Sequence, residues 1–333
     1  MIEELKDVFD LATGATSLIN EILKLKANNK KQCENDAIIS SKGNYAQIGS
    51  SGNCAQIGSS GDYVQIGSSG DCAKIGSSGY YAKIGSSGYY AQIGSSGDYA
   101  KIGSSGNCAQ IGSSGDYAKI GSSGYYAQID SSGDKAVISA IGFKSIAKGK
   151  KGSWMTIAEY KKDENGFWVV DFVKTEQIEG KRIKEDTYYT LYNHEFAEVQ
   201  FIDGVRTIIL NQKKNVIKGV FLDSLNYCYV VEKDGIYSHG ATLKEAKDSL
   251  IYKISNRDTS MYEDYTFDTV VTFEEAIKMY RVITGACEVG TRNFVESLSK
   301  RKKKYTVAEI IEQTKGQYGN ETFKEFFKQC GKQ

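Results

Sequence analysis

The chain of 333 residues contains no proline, so no segment is stopped or kinked by a locked φ, and every turn is left to other residues. Histidine is almost as scarce: His194 and His239 are the two addresses for a general base of the commonest type. No apolar run approaches the roughly 18 residues of a membrane helix. The N-terminal MIEELKDVFDLATG has neither a basic start nor a continuous apolar stretch, so the expectation is a cytoplasmic protein without a membrane partner. An excess of charge is missing too: five acids face five bases in residues 1–33, eight face nine in 34–150, and 28 face 28 in 151–333. That balance disfavours non-specific nucleic-acid binding, which rests on a strong basic excess. The seven cysteines are odd in number and form no C-x-x-C pair, so no zinc site, disulfide framework or cofactor is signalled.

What is abundant is glycine, 35 residues concentrated in one block. GNYAQIGSS at 43–51 recurs with a nine-residue step through Gly52, Gly61 and onward to Gly124, ten near-identical units without a slip of register. Within a unit, Tyr/Cys, Ala/Val, Gln/Lys and Ile alternate in the period of a half-buried strand. Ala46 and Ile48 are expected inside, Tyr45 and Gln47 outside, with Gly-Ser-Ser-Gly forming the bend through glycines of positive φ. One nonapeptide cannot enclose a core, so units must stack into a β-solenoid. Two units per coil place Cys54, Cys72 and Cys108 in one column and Tyr45, Tyr63, Tyr81, Tyr99 and Tyr117 in the other, whereas three scatter the cysteines; coils of 18 residues are therefore favoured. The degenerate copies 34–42 and 133–141 are expected to cap the array.

Residues 1–33, with Ile2, Leu5, Val8, Phe9, Leu11, Ile19, Ile22, Leu23 and Leu25 at helical spacing, form the expected helical cap; a homodimer through these helices or the solenoid end is the rival reading. The solenoid is assigned to 34–150 and an α+β domain to 151–333. Antiparallel strands are expected over 153–239 and helices over 242–330, because Thr242, Thr272, Thr306 and Thr322 are each followed three residues later by Glu.

Chemistry-bearing groups are few. His239 and Cys287 both stand at helix junctions and would be an enzyme's base and nucleophile, although a small Cys between helices is more often packing. GACEVG at 285–290 lacks the strand and the Lys-Ser/Thr of a phosphate loop, and the acidic stretch 257–264 lacks calcium-loop spacing. No catalytic residue and no metal ligand is therefore assigned. The binding candidates are the exposed column Tyr45, Tyr63, Tyr81, Tyr99 and Tyr117, a stack that also serves structure, and the basic run Lys300, Arg301, Lys302, Lys303 and Lys304.

The YAQIGSSGDYAKIGSSG array resembles the short-period solenoid repeats of phage and prophage proteins from low-GC Gram-positive bacteria. HGATLKEAKDSL and RDTSMYEDYTFDTVVTFEEAIKMYRVITGACEVGTRNFVE are similar to a C-terminal region that accompanies such repeats, so the resemblance spans residues 34–300. YVVEKDGIYSHGATLKEAKDSL is also similar to the strand-strand-helix unit of antitoxin-type partial RNase H-like modules, a unit common to many folds. The resemblance implies a viral or mobile-element origin and brings no catalytic residues. The function expected is a non-enzymatic scaffold that binds a host protein or complex and inhibits a defence or nucleic-acid-processing system. The alternatives are an enzyme or nucleic-acid-binding protein acting through the C-terminal domain, and a structural or adhesive virion part.

Overall fold

The computed structural model describes residues 35–255, 257–298 and 301–330. The helical cap expected over 1–33 lies outside the described residues, as does Lys300. The chain divides into two compact units, one ending at Val199 and one beginning at Gln200.

The first unit is a β-solenoid. Its strands are β1 (Ile38–Ser41), β2 (Gln47–Ser50), β3 (Gln56–Ser59), β4 (Gln65–Ser68), β5 (Lys74–Ser77), β6 (Lys83–Ser86) and β7 (Gln92–Ser95). They continue as β8 (Lys101–Ser104), β9 (Gln110–Ser113), β10 (Lys119–Ser122), β11 (Gln128–Ser131), β12 (Val137–Ala140), β13 (Ile146–Lys148) and β14 (Trp154–Lys162). Odd-numbered strands form one parallel sheet and even-numbered strands the other. Each residue pairs with the one 18 positions away, Ile48 with Ile66 and Ile66 with Ile84. Fourteen strands at two per coil make about seven coils, so the two-sided 18-residue coil is the observed one.

The strand phase differs from the expectation. Strands begin at Gln/Lys and run through Ile-Gly-Ser, and Tyr or Cys stands in the bend with positive φ, 59° at Tyr45 and 58° at Cys54. The repeat glycines of the bend are not the positive-φ residues. Their requirement is a close approach: a Cβ on Gly97 would lie 1.9 Å from the carbonyl oxygen of Gly79 in the preceding coil. The left-handed residue also reverses the amide direction. Gln65 N donates back to Ala46 O at 2.9 Å, whereas Tyr45 N donates forward to Asp62 O at 2.8 Å. Each coil is thereby tied to both neighbours through the bend as well as the strand.

The interior is built from Ile, Ala and the serine that ends each strand, such as Ile84, Ala82 and Ser86, all buried. Serine is there because the side chain alternates inward two residues after Ile, where the narrow space between sheets admits only a small group. The hydroxyl of Ser86 and of most of its equivalents has no partner among the described residues. The segment 133–141 is not a cap: β12 pairs with β10 on one side and β14 on the other. The array closes further on, where β15 (Trp168–Gln177) folds back on β14, and β16 (Tyr188–Tyr192) with β17 (Glu195–Ile202) extends the odd sheet. Ile178, Ile183, Tyr189 and Leu191 join the solenoid core there.

In the second unit β18 (Val205–Lys213), β19 (Val216–Phe221), β20 (Tyr227–Lys233) and β21 (Ile236–Gly240) form an antiparallel meander. Helix α1 (Leu243–Ile254) packs on its last two strands through Ala246 and Leu250. A separate core around Tyr262, Met279, Phe323 and Phe327 joins β22 (Val270–Thr272), α2 (Phe273–Thr284), β23 (Lys304–Thr306), α4 (Val307–Gln313) and α5 (Asn320–Cys330), with α3 (Glu288–Ser297) following α2. Thr242, Thr272 and Thr306 cap α1, α2 and α4 through the amides of Glu245, Glu275 and Glu309. The expected start at Thr322 is corrected: Gly319 turns the chain at φ 80° and α5 begins at Asn320, leaving Thr322 inside the helix. This is a mixed α+β region.

Candidate functional site

Tyr45, Tyr63, Tyr81, Tyr99 and Tyr117 stand one per coil at the same bend, all exposed. The left-handed backbone at each, φ between 55° and 59°, throws the ring outward. Neighbouring rings stack with centroids 5.1, 5.0, 4.9 and 5.0 Å apart and planes within 10°. The separation follows the coil spacing of about 4.8 Å, and near-parallel rings at this distance are within the stacked arrangements that aromatic pairs favour. Ring faces are used within the column, and what it offers to solvent is a row of ring edges and hydroxyls. Lys135 occupies the next position, its Nζ 5.3 Å from the Tyr117 ring centre and 3.2 Å from its hydroxyl. That hydrogen bond holds the Lys135 ammonium above its ordinary pKa.

Two rows flank the column. On one side are Asn44, Asp62, Asp98, Asp116 and Asp134, interrupted by Tyr80. Asn44 Oδ1 accepts from Asp62 N at 2.9 Å, Asp62 Oδ1 from Tyr80 N at 2.9 Å, and Asp116 Oδ1 from Asp134 N at 2.8 Å, so these side chains also tie coil to coil. On the other side are Gln47, Gln65, Lys83, Lys101 and Lys119. Hydroxyls thus run between a carboxylate row and an amide and ammonium row. The opposite bend carries Cys54, Cys72, Tyr90, Cys108 and Tyr126, with Lys144 at the next position, 5.7 Å from the Tyr126 ring centre.

The basic run belongs to the second unit. Arg301, Lys302, Lys303 and Lys304 are exposed, but they lead into strand β23 rather than forming a loose linker. Lys302 Nζ pairs with Glu309 at 2.7 Å, and the Lys302 amide donates to the Tyr305 hydroxyl at 2.7 Å. His239 is fully buried on β21, its Nε2 3.3 Å from the Thr207 hydroxyl and its Nδ1 without a partner among the described residues. Burial, assisted by the charge of Lys253, pushes its pKa down to about 4. Cys287 is buried and caps α3, its Sγ accepting from Gly290 N at 3.3 Å. In the acidic stretch 257–264, Tyr262 is buried and bonds Glu275 at 3.0 Å, so that loop is anchored. No group of three or more His, Cys, Asp or Glu suited to a metal occurs among the described residues.

Two features escaped the sequence reading. The inward serines look like turn residues in isolation. A cavity in the second unit draws its walls from residues 203 to 318, which no local motif connects. A scan of protein-family models gave no match, and neither the curated proteins nor the solved structures searched include a similar one.

Proposed function

We propose that the chain is a non-enzymatic binding scaffold of the phage type, and that the tyrosine bend of its solenoid engages a host protein. The observation that supports this reading is the column of five stacked rings, an ordered stripe of hydroxyls at a fixed spacing. Aromatic edges with polar tips are favoured in protein interfaces, and their ordering in the free chain lowers the entropy cost of association. The flanking rows favour a protein over a nucleic acid. A phosphate backbone laid along the lysines would meet the parallel row of Asp62, Asp98, Asp116 and Asp134, whereas a protein surface can present both signs.

The test compares the full chain with a variant carrying Tyr63→Ser, Tyr81→Ser and Tyr99→Ser as baits in lysate of a low-GC Gram-positive host. The expected outcome is a protein held by the full chain and lost by the variant, with circular dichroism showing both folded. Retention of the same protein by the folded variant counts against the tyrosine stripe. Nucleic acid retained with a steep salt dependence would replace the reading with an electrostatic one.

A further inference from the structure

The second unit holds a partly open cavity of about 80 Å³ lined by α2, α3, α4 and the loops around Asp203 and Tyr318. Phe273, Ala276, Ile277, Phe294, Val295 and Ile310 give it apolar walls. Asp203, Gln317 and Tyr318 form one polar part of the lining, which also holds Thr291, Gln313 and Thr314. The Asp203–Gly204 turn lies against the loop at 316–318: a Cβ on Gly204 would stand 3.6 Å from Gly316 O and 3.7 Å from Gln317 Oε1.

The charge of Asp203 is already matched. Its Oδ2 accepts from the buried Lys253 Nζ at 2.6 Å; that ammonium also donates to Tyr237 O at 2.7 Å and lies 3.4 Å from the Tyr318 ring centre. The other carboxylate oxygen of Asp203, the Tyr318 hydroxyl and the Gln317 amide have no hydrogen-bond partner among the described residues. None of the three groups is fully buried, so each stays open to hydrogen bonding from the cavity side, next to the apolar walls. Asp203 is the one ionised side chain in the lining and Lys253 already matches it, so the walls offer a charged ligand no unpaired counter-charge. Size narrows the choice further: a cavity of about 150 Å³ admits benzene, so this one suits a branched aliphatic body.

We propose that this cavity binds a small neutral molecule with a body the size of a leucine side chain and an amide or hydroxyl head. The body lies among the apolar walls, and the head exchanges hydrogen bonds with Asp203, Gln317 and Tyr318. The site is independent of the solenoid reading, so either can fail alone.

Three isosteric probes test it on the full chain by saturation-transfer NMR: isovaleramide, which is neutral, isovalerate, an anion, and isoamylamine, a cation. The expected result is saturable binding of isovaleramide at one site, with the two ions at least tenfold weaker. Ala276→Leu fills the cavity and is expected to weaken isovaleramide at least tenfold. If Ala276→Leu does not fold, Gln317→Leu, at the half-exposed loop, is read instead, with the same loss expected. Absence of saturable isovaleramide binding, equal binding of all three probes, or affinity unchanged in the folded variant overturns the proposal.

Discussion

Gly94 and Gly97 lie three residues apart, one near the end of a nine-residue unit and the other opening the next, and meet opposite surroundings. A Cβ on Gly94 reaches nothing within 4 Å, whereas one on Gly97 would collide with the Gly79 backbone at 1.9 Å. Gly94→Ala is expected to change stability by less than about 0.5 kcal/mol, and Gly97→Ala to cost about 3 kcal/mol or more, measured by urea denaturation. Equal effects would show that the coils do not approach as described. The inward serines lead to a second expectation. Ser86 carries a buried hydroxyl without a partner, so Ser86→Ala removes an unfavourable group while filling nearly the same space. The variant should be unchanged or up to about 1 kcal/mol more stable; a loss of stability would mean that the hydroxyl is bonded. His239 gives a residue-scale pH dependence. Its folded pKa of about 4 lies below the ordinary 6.5, so the unfolded chain takes up the proton first as pH falls. Stability is expected to drop between pH 6.5 and about 4, by about 3 kcal/mol in the limit. His239→Gln should lack that portion of the slope, and an identical slope in the variant would refute the assignment.

At the scale of elements, Thr306 and Thr322 share one sequence signal and differ in effect. Thr306 and Glu309 bond each other's backbone amides at the start of α4, while Thr322 lies inside α5. Thr306→Ala is expected to cost about 1 kcal/mol and Thr322→Ala much less, as the thermal unfolding of the two variants will show. The contrast also marks what is legible. A capping box reads as a helix start wherever no stronger local signal precedes it, and at α5 the turn at Gly319 comes first. In the solenoid, Ile and Ala read correctly as interior, and the sorting of cysteines from tyrosines gave the coil length. The strand phase did not read. Tyrosine favours strands and rarely adopts positive φ, so nothing local shows that it occupies the bend. Its outward placement was legible, since either phase exposes it. The cavity was not, because Asp203 and Tyr318 meet only through tertiary packing.

At the scale of the molecule, about seven coils of near-identical sequence are joined by pairing 18 residues apart. The array is made of nine-residue units but closed in coils of two, and this sets a rule of parity. Removing residues 79–96, a whole coil, brings Tyr63 next to Tyr99 and leaves a stack of four rings. Removing 79–87 alone moves every later unit to the opposite bend, so that Tyr63 meets Tyr90 and Tyr90 meets Cys108. The first deletion keeps its four rings in one unbroken column, whereas the second splits the rings into a run of three on one bend and a run of two on the other. A partner held by the tyrosine stripe is expected to be retained by the first and weakened in the second. Both chains would remain solenoids, since Gly, Ile and Ser are common to all units. Recombination between such similar units can lengthen or shorten the rod freely, but an odd step exchanges its two margins, and a surface that depends on one margin is inherited only in even steps.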